Sequence, residues 1–142
     1  MFWGEYAHQL DSKGRLIIPA RYRPHLPEGS VLTRGIDGNL VIYPTEVWHA
    51  VAKQVNDIPI TNPTARALRR LLFSGLVELS LDRQGRMLIP TYLREYAQLE
   101  NEVMIVGMET FIELWQPIRW QEMLNDVSDI LANAVSTLNL SL

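Results

Sequence analysis

Two clusters of charged side chains in this 142-residue sequence share one spacing. Asp11, Gly14 and Arg15 in "LDSKGRLIIP" (residues 10 to 19) correspond to Asp82, Gly85 and Arg86 in "LDRQGRMLIP" (residues 81 to 90), 71 positions later and identical at six of ten residues. A carboxylate four residues ahead of an arginine has two readings. It can buttress a turn through a surface ion pair, contributing about 0 to 1 kcal/mol. Alternatively, the arginine fork, with Lys13 or Arg83 beside it, offers its donors to an acceptor outside the chain.

No other set of residues suggests chemistry. His8 takes the place of Leu79 in the other half and reads as a half-buried core residue, His25 and His49 have no His, Cys or acidic partner at metal-ligand spacing, and the chain has no cysteine. G-x-S-x-G, Walker and G-x-G-x-x-G patterns are absent, and Gly14 and Gly85 stand alone in their turns. The expectation is therefore no enzyme, no metal, no cofactor and no small-molecule substrate.

The elements that position the two clusters follow from periodicity. Tyr6, His8 and Leu10 alternate with polar neighbours, as do Val77, Leu79 and Leu81, which predicts strands with one buried face. Asp-x-x-Gly then reads as a type I turn whose glycine supplies the left-handed residue of a bulge, so both clusters sit at hairpin tips. Outgoing strands "RLIIP" and "RMLIP" end at Pro19 and Pro90, and short helices are expected near 20–26 and 91–98. "SVLTRGIDGNLVIYP" and "EVMIVGMETFIELWQP" read as second hairpins. Further helices are expected from Thr45, taken as an N-cap, from Asn62 with Pro63 at the first helical position, and over 117–138. This last helix carries a narrow seam of Leu124, Val127, Leu131, Ala134 and Leu138, which should dock on its own body or on a neighbour.

The match between the halves extends from Phe2/Phe73 to Trp48/Trp120, with one residue inserted downstream. Two half-units, 1–72 and 73–142, are expected to share one core as a single compact domain, since neither buries much alone. No apolar run nears the roughly 18 residues of a membrane span, and the N-terminus lacks a signal-peptide pattern, so a cytoplasmic protein is expected. The net charge of -3 conceals an asymmetry. Nearly all the Lys and Arg lie before residue 95; from residue 95 onward Arg119 stands alone among eight acids.

The paired D-x-x-G-R loops, each followed by an apolar strand and proline, resemble those of the MraZ family over the whole chain. The resemblance implies a β-rich α+β fold: two tandem pseudo-symmetric AbrB-like (SpoVT-AbrB type) swapped-hairpin β-barrel half-units with flanking helices. It also implies a nucleoid-associated transcriptional regulator, with double-stranded DNA and copies of itself in a ring as partners. Its expected role is repression of its own division and cell-wall gene cluster through G-rich direct repeats in the promoter. The rival from another class is a ring-forming protein-interaction scaffold that does not read DNA.

Under the DNA reading, Asp11, Gly14, Asp82 and Gly85 structure the loops, because a carboxylate repels phosphate. Arg15 and Arg86 are the expected base readers, and Lys13 and Arg83 hold the backbone. Arg21, Arg23 and Arg94, just beyond the hairpins, are candidate phosphate contacts. Arg66, Arg69 and Arg70 share a helical face and read as solvated or as subunit ion pairs. Trp48 and Trp120 read as core, and Trp3 as a subunit contact.

Overall fold

The computed structural model describes residues 1–142. Its strands are β1 (Glu5–Gln9), β2 (Arg15–Ile17), β3 (Val31–Arg34), β4 (Leu40–Tyr43), β5 (Val77–Glu78), β6 (Arg86–Leu88), β7 (Glu102–Gly107) and β8 (Ile112–Trp115). The helices are α1 (Thr45–Asp57), α2 (Pro63–Gly75), α3 (Thr91–Ala97) and α4 (Pro117–Ala134). This is a mixed α+β fold with a six-stranded antiparallel sheet in the order β1-β7-β8-β4-β3-β5 and a separate two-stranded ribbon, β2-β6.

The halves are woven together. The first strand of each pairs with the third strand of the other, β1 with β7 and β5 with β3. β4 pairs with β8, Leu40 opposite Leu114 and Ile42 opposite Ile112, and β2 pairs with β6 in the register Arg15↔Leu88, Leu16↔Met87, Ile17↔Arg86. Repeat-related strands that pair antiparallel with each other place a pseudo-twofold axis between them. The sheet has open edges at β1 and β5, so an open sheet and a ribbon stand where a barrel is expected.

Alternation decides which side chains fill the space between sheet and ribbon. Leu16, Ile18, Met87 and Ile89 turn inward, each at most 1% exposed, and join Phe2, Tyr22, Leu32, Leu93, Ile105 and Leu114 in one cluster of 16 residues drawn from both halves. A smaller cluster of Val31, Trp48, Val55 and Leu72 seats α1 and α2 on the sheet.

Local departures from expectation have local causes. The helix near 20–26 shrinks to a 3-10 turn at Arg23–His25, because Pro24 and Pro27 remove backbone donors; its counterpart without prolines, α3, is α-helical. Thr45 does not cap α1: its hydroxyl donates to the Glu28 carbonyl at 2.7 Å, and the N-cap position is Pro44. Asn62 does cap α2, its Oδ1 accepting from Thr64 and Ala65 N–H at 2.9 and 3.2 Å, with Pro63 following. The strand expected through Leu81 keeps only Val77–Glu78, although the Leu79 N–H still donates to the Ser30 carbonyl at 2.8 Å.

α4 departs most. Its first turn is tied down by Gln116, whose side chain accepts from the Arg119 N–H at 2.8 Å, and by Trp120, whose Nε1–H donates to Glu5 at 2.8 Å. Beyond that the helix leaves the body and no residue of it is buried. Of the seam, Leu124, Leu131 and Leu138 are 37%, 45% and 60% exposed, Ala134 is exposed and only Val127 is half-buried, so the seam as a whole does not dock on its own protomer. No helix is long and apolar enough to cross a membrane.

Candidate nucleic-acid interface

Each tip is organised by its aspartate. Asp11 Oδ1 accepts the backbone N–H of Lys13 and of Arg15, both at 2.9 Å, while Oδ2 accepts the Arg15 Nε–H at 2.7 Å. Asp82 repeats the pattern on Gln84 and Arg86, at 2.9 and 3.0 Å for the backbone and 2.7 Å for Nε. The Gly14 N–H donates to the Asp11 carbonyl at 3.0 Å and the Gly85 N–H to Asp82 at 2.9 Å, closing the turns, with both glycines at φ +78°. A side chain there is strained, which is why the turn needs glycine.

These bonds settle the charge state of the tips. The Arg15 N–H contributes most to holding the Asp11 carboxyl below the ordinary aspartate range; partial desolvation opposes it, and the Arg15 guanidinium and Lys13 N–H add to it. Asp82 is lowered in the same way, led by the Arg86 N–H. A carboxyl whose folded pKa is depressed stabilises the fold at neutral pH and loses that contribution only as pH falls through the lowered value. Both tips therefore keep their carboxylates, and their arginine clamps, across the physiological range.

The clamp uses Nε alone. The terminal nitrogens of Arg15 and Arg86 have no hydrogen-bond partner in the chain, so each fork remains available while its plane is fixed. The ribbon also makes the two tips one site. Antiparallel register sets Arg86 diagonally across from Arg15, and Arg86 Nη1 lies 3.8 Å from Asp11 Oδ2. Lys13 and Arg83 stand beside the forks, exposed and without ion-pair partners.

Arg23 and Arg94 are placed by the pairing of strands between the halves. Their Nε–H groups donate to the Ile18 and Ile89 carbonyls of their own halves, both at 2.9 Å, and each guanidinium lies over the tip glycine of the other half. A Cβ on Gly14 would come within 2.7 Å of Arg94 Cζ, and one on Gly85 would overlap Arg23 still more closely. Arg23 thus belongs to the second tip and Arg94 to the first. The sequence carried a signal for this, since the two arginines are themselves 71 residues apart, but not for the crossing. Six cations gather around two carboxylates.

Other candidates fall elsewhere. Arg21 donates to the Tyr6 hydroxyl at 3.1 Å and stacks over Trp3, 5.0 Å from the ring centre, so its contacts lie away from the tips. Trp3 remains 55% exposed. Arg66 and Arg69 are partly exposed and donate to the carbonyls of Ile60 and Thr61, and of Asn56 and Ile58, holding the α1–α2 connection, while Arg70 is exposed; none of the three makes an ion pair within the chain. Trp48 is buried, whereas Trp120 is half-buried against Trp115.

Known proteins match most of the chain. A family model described as "MraZ protein, putative antitoxin-like" matches twice, over residues 1–71 and 72–140. A protein of Herpetosiphon aurantiacus named Transcriptional regulator MraZ is 52% identical over 129 residues, covering 91% of this chain and 90% of its own. Proteins of the same name from Roseiflexus castenholzii and Moorella thermoacetica are 51% and 48% identical, over 88% and 91% of this chain and 87% and 90% of theirs. With both halves matched and about half of the aligned residues shared with such relatives, this chain belongs to the MraZ family.

Proposed function

We propose that this chain is a sequence-specific DNA-binding transcriptional regulator that recognises promoter DNA through the joined tips at 11–15 and 82–86. The observation that carries the reading is the pair of aspartate-clamped arginine forks, their terminal nitrogens without a hydrogen bond inside the chain, held side by side by the β2–β6 ribbon. A planar fork with a fixed plane suits guanine O6 and N7, while Lys13, Arg83, Arg23 and Arg94 surround it with charge suited to phosphate. The names of the relatives support the regulatory role. In this reading the site is G-rich direct repeats ahead of the chain's own division and cell-wall gene cluster, which it represses in the cytoplasm at the nucleoid. The halves act as a swapped pair of hairpin units.

The test compares a G-rich direct-repeat duplex with its scrambled version at fixed salt, then repeats the titration as salt rises. Because the particle carries net charge -3, binding must come from the tips, and affinity for the repeat should fall steeply with salt through counterion release. Lys13→Ala should reduce the slope of log affinity against log salt by about one and weaken all duplexes alike. Equal affinity for repeat and scrambled duplexes would refute the reading.

The exposed α4 favours a homo-oligomer, a ring in our reading, in which several tip pairs engage repeated sites and multiply a modest single-site affinity. Truncation after Asn125 should lower the oligomer mass while moving the thermal midpoint little, because the removed residues are largely exposed. An unaltered mass would reduce the helix to a tail.

A further inference from the structure

The ribbon presents a four-residue face whose composition is unusual for a cationic site. Strand alternation turns Leu16 and Met87 inward, at 0% and 1% exposure, and turns residues 15, 17, 86 and 88 outward. Register places Arg15 opposite Leu88 and Ile17 opposite Arg86, so arginine and aliphatic side chains alternate in a two-by-two checkerboard around the pseudo-twofold. The aliphatic pair is the more exposed: Ile17 at 41% and Leu88 at 56%, against 29% and 27% for the side chains of Arg15 and Arg86.

An exposed Ile or Leu alone needs no explanation. Here the same outward position of both halves is aliphatic, between two guanidinium forks, while two positions of the tips differ between the halves: Ser12 against Arg83, Lys13 against Gln84. The surrounding charge selects a polyanion over an apolar protein surface. A two-stranded antiparallel ribbon fits the major groove of duplex DNA, roughly 12 Å wide. The apolar feature on the base edges there is the thymine methyl group, since guanine, cytosine and adenine present donors and acceptors. Phosphates have nothing to offer Ile17 or Leu88.

We infer that the β2–β6 ribbon enters the major groove and that Ile17 and Leu88 are specificity-determining residues that pack on thymine methyls beside the guanines read by Arg15 and Arg86. This rests on the DNA-binding reading above and adds the second base type of the site. Ile17 is β-branched and Leu88 is not, so the two half-sites are read with different tolerance.

The experiment uses the full chain and a duplex selected by it from a randomised pool, synthesised once with thymine and once with uracil, which lacks only the methyl. The thymine duplex should bind about four-fold more tightly for each methyl packed. Ile17→Ala and Leu88→Ala should each abolish the discrimination at one half-site while keeping the parent's thermal midpoint, and Ile17→Val should retain most of it. If parent protein binds both duplexes equally, the inference fails while DNA binding stands. If uracil weakens binding equally in the alanine variants, the methyls act through DNA shape or other residues, and the inference again fails. An oligomer mass altered by Ile17→Ala, with discrimination intact, would make the face a contact between copies. Selection of no duplex at all would overturn the proposed function itself.

Discussion

Arg15→Ala leaves a folded protein that no longer prefers its operator. The Arg15–Asp11 pair is solvent-accessible on both sides, 29% and 32% exposed, so removing it costs roughly 0 to 1 kcal/mol of stability. That moves the thermal midpoint by a few degrees at most, on the order of 2–4 °C per kcal/mol for a chain of this size. The turn survives because Asp11 Oδ1 still accepts two backbone N–H groups and Gly14 still closes it. Recognition does not survive. A bidentate fork on guanine discriminates by about 1–3 kcal/mol, so each site loses on the order of ten- to hundred-fold in preference. Arg15→Lys distinguishes the fork from its charge: lysine keeps the cation but cannot bond in a plane, so it should restore affinity for any DNA without restoring preference. Operator affinity unchanged by Arg15→Ala would remove Arg15 from the interface.

Much of this site is legible in sequence because its causes are local. Asp11, Gly14 and Arg15 lie within one turn, and the needs of that turn, a side-chain acceptor at its start and a left-handed residue at its end, are met by residues the eye can count. The Asn62–Pro63 cap and the β3–β4 and β7–β8 hairpins are legible for the same reason. Duplication adds a second legible layer, since an identical motif at a fixed offset implies related surroundings.

What stays hidden is partnership across distance. Period-2 alternation says that β1 has a buried face, but not that its neighbour is β7 of the other half. Arg23 and Arg94 read as flanking residues because five positions separate them from Ile18 and Ile89; only the pairing of β2 with β6 lays each on the opposite glycine. Thr45 looks like a cap because threonine often is one, yet the Glu28 carbonyl competes for its hydroxyl. The seam on α4 has the right spacing to pack, but spacing cannot say whether the complementary surface belongs to the same molecule.

The same weave gives the largest effect on folding. Residues 1–72 expressed alone should be unfolded as a monomer, with random-coil amide shifts and no thermal transition. Cutting there removes β7 from β1, β6 from β2 and β8 from β4, leaving the β3–β4 hairpin as the one complete ladder. It also strips the main cluster of Met87, Ile89, Leu93, Ala97, Leu99, Val103, Ile105, Ile112 and Leu114, more than half of its members. A single buried leucine truncated to alanine costs about 2–5 kcal/mol against a total stability of roughly 5–15, so losing nine such residues exceeds any reserve. The α1–α2 pair keeps its small cluster of Val31, Trp48, Val55 and Leu72, but a lone hairpin under two helices of thirteen residues each buries too little to persist. Adding residues 73–142 as a separate chain should restore the fold, because every lost ladder returns with its own register. A half that is a folded monomer by itself would show that the pairing across the pseudo-twofold is dispensable, and that the two tips need not act as one site.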